Sequence, residues 1–174
     1  NKKSTIIDKL TIRNSIFKEN FKLHNCEVKN VFISDTDFEK QFDCYKSTFD
    51  IQSKKNKCNT IYFKTLNIKG LFIFDNVTFH QKVIFEYVTF ESSGNFRYAR
   101  FKKGLDLDTT NIQEDKVINF YGVKELDKRN SREETSQETY RIIKHNFEKL
   151  GNKIESNKFH SLELNANRKE LWKS

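Results

Sequence analysis

Proline and methionine are absent from the 174 residues, glycine occurs 5 times and tryptophan once. Loop-rich and disordered chains draw heavily on proline and glycine, so their scarcity argues against both. Cysteine is also sparse. Cys26, Cys44 and Cys58 form no CxxC pair, and none stands near a histidine at metal-ligand spacing. An odd count with Cys26 and Cys44 on inward positions suits a reducing compartment, where a free thiol behaves as a small hydrophobe. No signal peptide and no apolar run long enough to span a bilayer is present, so the chain reads as soluble. Gly-rich phosphate loops, HExxH and nucleophile-elbow patterns are missing too. The histidines are scattered. His145 with Glu148 and His160 with Glu163 are spaced to share a helix face, but a catalytic base needs a pocket and the sequence marks none. The expectation is a protein that is not an enzyme and has no cofactor, metal or small-molecule substrate.

Phenylalanine is what the chain has instead. Hydrophobic residues make up only 36%, yet 17 are Phe, which suits a thin repeated core better than a globular one. From Ile61 to Ile112 large apolar residues return in pairs five apart, and the pairs return every eleven: Phe63 and Ile68, Phe74 and Phe79, Phe85 and Phe90, Phe96 and Phe101, Leu107 and Ile112. That period fits neither a helix nor an ordinary hairpin sheet. Toward the N-terminus a looser beat of five, sometimes six, runs through Ile7, Ile12, Phe17, Leu23, Val28, Ile33, Phe38, Cys44 and Phe49. Two residues before each stands a second inward candidate, such as Leu10, Cys26, Val31 or Phe42. Inward, outward, inward is strand alternation, and the two or three outward residues that follow turn a corner. Strand edges do not stay unpaired in bulk, so successive turns must stack about 4.8 Å apart and carry equivalent residues up the axis as ladders.

The stretches Phe72 to Phe79, Val83 to Phe90 and Arg97 to Phe101 resemble the pentapeptide-repeat proteins, in the Phe-rich variant where two pentapeptides and one extra corner residue make an eleven-residue unit. The resemblance covers about residues 4 to 121. It implies an all-β solenoid, a right-handed quadrilateral β-helix with roughly 22 residues per four-sided coil. The family prefers a small residue two before each centre. Leu66, Phe72, Val77, Val83 and Val88 hold that place here, so a widened or skewed coil is expected. The beat breaks over residues 51–59, expected to leave the wall as a loop whose Lys54, Lys55 and Lys57 are candidate contacts for a phosphate or an acidic partner.

Three segments follow: a β-helix over 1–122, a polar linker over 123–136 and a helical segment over 137–174. Past Ile112 the beat fades through Val117, Ile118, Phe120 and Tyr121, expected to form a capping coil because an open β-helix end exposes strand edges. Ser136 is a candidate N-cap. Beyond it Ile143, Phe147, Leu150 and Ile154 mark one helical stripe, and Phe159, Leu162 and Ala166 another. Gly151-Asn152 breaks the pattern, giving a helical hairpin or one kinked helix. Thr139-Tyr140-Arg141, Lys144, Gly151-Asn152, Phe159 and Glu163 resemble the helical segment after the repeats of bacterial membrane-associated pentapeptide-repeat proteins. This second resemblance implies a cytoplasmic module, or one on the cytoplasmic face of the inner membrane, with a membrane-spanning continuation after Ser174. The start at Asn1 and the mid-helix stop at Ser174 fit an excised fragment.

With Phe turned inward, function falls to the outward residues. A 22-residue coil places Tyr62, Ile84 and Tyr87 on one wall as an apolar strip, expected to be covered by the C-terminal helices or a second subunit. Arg97, Arg100, Lys102 and Lys103 form a basic cluster beside Tyr98, split between two faces. The leading expectation is a non-enzymatic scaffolding module that binds a protein partner or forms a homodimer. Members of the family that inhibit or protect DNA gyrase resemble a DNA duplex, which needs a negative surface. The net charge here is +8, and the repeat segment is itself positive, which disfavours that role. Weak binding to nucleic acid or an anionic membrane is the third reading.

Overall fold

The computed structural model of the chain describes residues 4–50, 60–128 and 134–173. Within them every strand pairing is parallel, and successive turns of the chain stack into a β-solenoid of about five coils. One sheet stacks β1 (Thr5–Ile7), β4 (Cys26–Val28), β7 (Thr48–Phe49), β10 (Thr78–Phe79) and β13 (Arg100–Phe101). A second stacks β2 (Leu10–Phe17), β5 (Val31–Phe38), β8 (Thr60–Ile68) and β11 (Lys82–Phe90), with β14 (Leu105–Asp106) and β15 (Asn111–Ile112) both on β11. The third stacks β3 (Phe21–Lys22), β6 (Phe42–Asp43), β9 (Phe72–Ile73), β12 (Gly94–Asn95) and β16 (Ile118–Asn119).

The long strands of the second sheet fold over a corner. Asn14, Asp35, Thr65 and Tyr87, midway along them, have φ of 47°, 50°, 51° and 54°, and the ladder skips Thr65 and Tyr87 while pairing Lys64 with Glu86 and Leu66 with Val88. One left-handed residue thus turns the strand through a corner, so this sheet forms two walls and the coil has four. Asn25, Lys46, Asn76 and Tyr98 repeat the device at the diagonal corner, with φ of 54°, 56°, 58° and 58°. The other two corners take three residues, such as 69–71 and 80–82. A two-residue corner and a three-residue corner make the eleven-residue beat.

Inside the walls Phe63, Phe74, Phe79, Phe85, Phe96 and Phe101 are fully buried. Their rings form ladders, with centroids 4.8 Å apart for Phe63 on Phe85 and 5.3 Å for Phe79 on Phe101. Leu66, Phe72, Val77, Val83 and Val88 are equally buried. For two of them a neighbouring coil supplies a small residue: a Cβ added to Gly94 would lie 2.8 Å from that of Phe72, and Ala99 is the buried counterpart of Val77 in the next coil, whereas Val83 stacks between Ile61 and Leu105 and Val88 on Leu66.

Coil length varies along the axis. Paired positions are 21 residues apart in the first coils, 22 apart from Thr60 to Ile112 and 24 apart in the last turn, where Ile118 pairs with Gly94, but 30 apart between the coils that flank residues 51–59. The loop expected there, with Lys54, Lys55, Lys57 and Cys58, lies outside the described residues. The walls on either side remain in step.

The last coil is closed by Phe120, stacked on Phe96 at 5.4 Å. In the stretch expected to be a polar linker, Lys124 pairs with Arg100 and Leu126 is buried. Two helices follow, α1 (Gln137–Lys149) and α2 (Lys153–Lys173). Ser136 caps α1 by accepting from the Thr139 N–H at 3.0 Å. At its other end Gly151, φ 69°, donates to Glu148 and Asn152 donates to Phe147, the paired bonds of a Schellman turn. The chain reverses there, so the expected stripe stops at Phe147. Leu150 and Ile154 are 47% and 82% exposed, while Phe159, Leu162 and Ala166 pack the second helix onto the first.

Candidate protein-binding face

The first half of the second sheet presents a flat outer wall. Alternation sends Ile33, Phe63 and Phe85 inward, and it sends Phe32, Tyr62 and Ile84 outward as direct neighbours in three consecutive coils. All three are half-buried. Thr11 precedes them and Asp106 follows, so the column has one rung in every coil of the wall. The adjoining outward column runs Arg13, Ser34, Lys64, Glu86, with the Lys64 and Glu86 side chains 3.2 Å apart. Arg13 lies over the Phe32 ring at 4.7 Å, a cation–π contact. A hollow of about 100 Å³ beside Phe32 is lined by Lys9, Leu10, Thr11, Asn30 and Val31.

Tyr62 and Ile84 therefore meet as the sequence indicates, and Phe32 joins them. Tyr87 does not share the flat wall. It occupies the left-handed corner, 61% exposed, with its N–H bonded to the Thr109 hydroxyl at 3.0 Å. The basic cluster is dispersed. Arg97 is committed to the buried Asp75, whose carboxylate accepts from its Nε at 3.0 Å. Lys103 donates to Gln81 at 2.8 Å, and Lys102 is half-buried on the same corner. Arg100 borders an open cleft of about 470 Å³ with Lys124, Lys128 and Lys158. Glu125 stands 3.9 Å from both Arg100 and Lys128, and Asp127 3.8 Å from Lys158, so the cleft carries its own counter-charge.

No family model, curated protein or solved structure matches this chain. The stacked coil by itself is consistent with a pentapeptide-repeat fold.

Thr139 and Tyr140, with Thr135 and Asn146 beside them, bind the hairpin to the end of the solenoid. Thr139 accepts the Leu107 N–H at 2.9 Å, Thr135 the Leu105 N–H at 3.2 Å and Asn146 the Ile118 N–H at 2.7 Å. These are strand-edge donors that another coil would otherwise take. Tyr140 donates to the Leu126 carbonyl at 2.9 Å. Glu163, 8% exposed, joins the helices by accepting from Lys144 at 2.9 Å and Arg141 at 3.1 Å, with His160 at 3.3 Å. Burial pushes its carboxyl up, but those bonds outweigh it and hold the group below the usual carboxylate range. His145 and Glu148 form an exposed pair at 2.8 Å. The hairpin is thus engaged at the last coil, through contacts remote from Phe32 and Tyr62.

Proposed function

We propose that this protein is a non-enzymatic scaffolding module that binds a protein partner on the Phe32, Tyr62, Ile84 wall. The observation carrying the reading is that column: three large apolar side chains, outward and adjacent, with charged residues at both ends of the wall. An apolar centre with a polar rim is the anatomy of a protein contact, and a flat rigid sheet loses little entropy when it docks. Gyrase inhibition by duplex mimicry is opposed by the positive net charge. Binding to nucleic acid or anionic lipid is weakly supported, because Arg97 and Arg100 each already face a carboxylate. The same reading places the protein in the cytoplasm, in keeping with the free thiols of Cys26 and Cys44. Its bacterial origin and link to the inner membrane rest on the resemblance of the helical segment alone. Among the described residues no helix is long and apolar enough to cross a membrane.

A photo-reactive amino acid at position 84, compared with one at outward position 73 on the third sheet, tests the face in the protein's own cells. Discrete protein adducts are expected from 84 and not from 73. Equal labelling from both positions, or none from 84, would remove the reading.

A further inference from the structure

We propose that this wall joins a second copy of the chain face to face, the two solenoids antiparallel across a two-fold axis lying along the Tyr62 strand. The inference rests on the binding face argued above and names its occupant. From first coil to last the central column reads Thr11, Phe32, Tyr62, Ile84, Asp106, so Tyr62 is the middle rung. An axis there sets Tyr62 against the partner's Tyr62 and Phe32 against the partner's Ile84.

The two ends of the wall carry opposite charge. In the first coil stand Lys9 and Arg13, for which no ion pair occurs among the described residues. In the last coil Asp106 and Glu134 share one lysine, Lys82, at 3.6 Å and 3.9 Å. Asp108 accepts from the Thr139 and Ser136 hydroxyls and has no cation beside it among the described residues. Arg13 lies two residues past Thr11, and Asp108 two past Asp106, so antiparallel copies bring Arg13 against the partner's Asp108. Lys9 lies two before Thr11 and Gly104 two before Asp106. Glu134 packs against Gly104, which brings Lys9 against the partner's Glu134. Lys64 meets its own copy, each held by its Glu86 at 3.2 Å. A parallel arrangement would instead set like charges together at both ends. Such self-complementary patterning is what an isologous two-fold contact requires.

Five rungs about 4.8 Å apart, each about five residues wide, give a footprint of about 400 Å² per copy. That is at the small end of specific interfaces, so the dimer is weak, and its charged ends make it salt-sensitive.

Sedimentation velocity over a concentration series tests it. Wild type at low salt is expected to pass from monomer to dimer with a Kd of about 10–300 µM and to weaken as salt rises. Tyr62→Asp, which opposes two carboxylates on the axis, should stay monomeric with an unchanged circular dichroism spectrum. Lys9→Glu with Arg13→Glu should raise Kd about tenfold or more, and adding Asp108→Lys and Glu134→Lys, the positions they face, to the same chain should restore it. Wild type that remains monomeric to about 1 mM, or a dimer indifferent to Tyr62→Asp, overturns the proposal. If adducts still form at position 84, that monomer removes only the second copy as occupant, whereas loss of both removes the binding face as well.

Discussion

A single corner residue decides how each coil turns. Thr65 holds φ 51° although it is β-branched, a conformation that costs L-residues about 1–2 kcal/mol and that asparagine tolerates better. Asn14, Asn25 and Asn76 fill equivalent corners at φ between 47° and 58°. Thr65→Asn should therefore stabilise the fold by about 1 kcal/mol and raise the melting midpoint by about 2–4 °C. An unchanged or lower midpoint in a thermal melt would contradict the assignment of strain to this corner. The same feature marks where residue-level reading stopped. Spacing alone put Tyr87 on a wall, because a left-handed φ has no apolar signature in the sequence. Phe32 went unseen for a different reason: it sits 30 residues before Tyr62 in register, not 22, and the beat that would link them is interrupted between Asp50 and Thr60.

At the scale of elements, the helical hairpin is a lid for the solenoid. A β-helix leaves N–H donors along its last coil, and a buried donor without a partner costs about 1–3 kcal/mol. Helix α1 meets this need with three side-chain acceptors, Thr135 just before it and Thr139 and Asn146 within it, aligned with Leu105, Leu107 and Ile118. Thr139→Val keeps the shape and removes the acceptor. It should lower stability by about 1–3 kcal/mol and speed amide exchange at Leu107 more than at Ile118. Full protection of Leu107 in that variant would show that the lid is held by other contacts. Helix boundaries were legible from Ser136 and Gly151, which act through local chemistry. The acceptors were not, since a threonine that caps a sheet edge looks like any other until the two elements meet.

Taken whole, the molecule separates stability from recognition by strand alternation. Inward Phe ladders hold the coils together, each ring contributing about 1.5–3 kcal/mol on burial, and the fold was readable because those ladders repeat. The outer wall carries no such repetition, so its use is visible only once register places Phe32, Tyr62 and Ile84 side by side. Everything argued for that wall depends on which residues of a strand face out. Ile84 and Phe85 are consecutive on β11, the first half-buried on the outside and the second fully buried within. The most direct measurement is a pair of thermal melts followed by circular dichroism, one for Ile84→Asp and one for Phe85→Asp. Phe85→Asp buries an unpaired charge and is predicted to abolish the β-rich folded state, while Ile84→Asp keeps the native spectrum with a midpoint within about 3 °C of wild type. A folded Phe85→Asp, or an Ile84→Asp that unfolds in its place, would show that the strand faces the other way and that the proposed binding wall is the core.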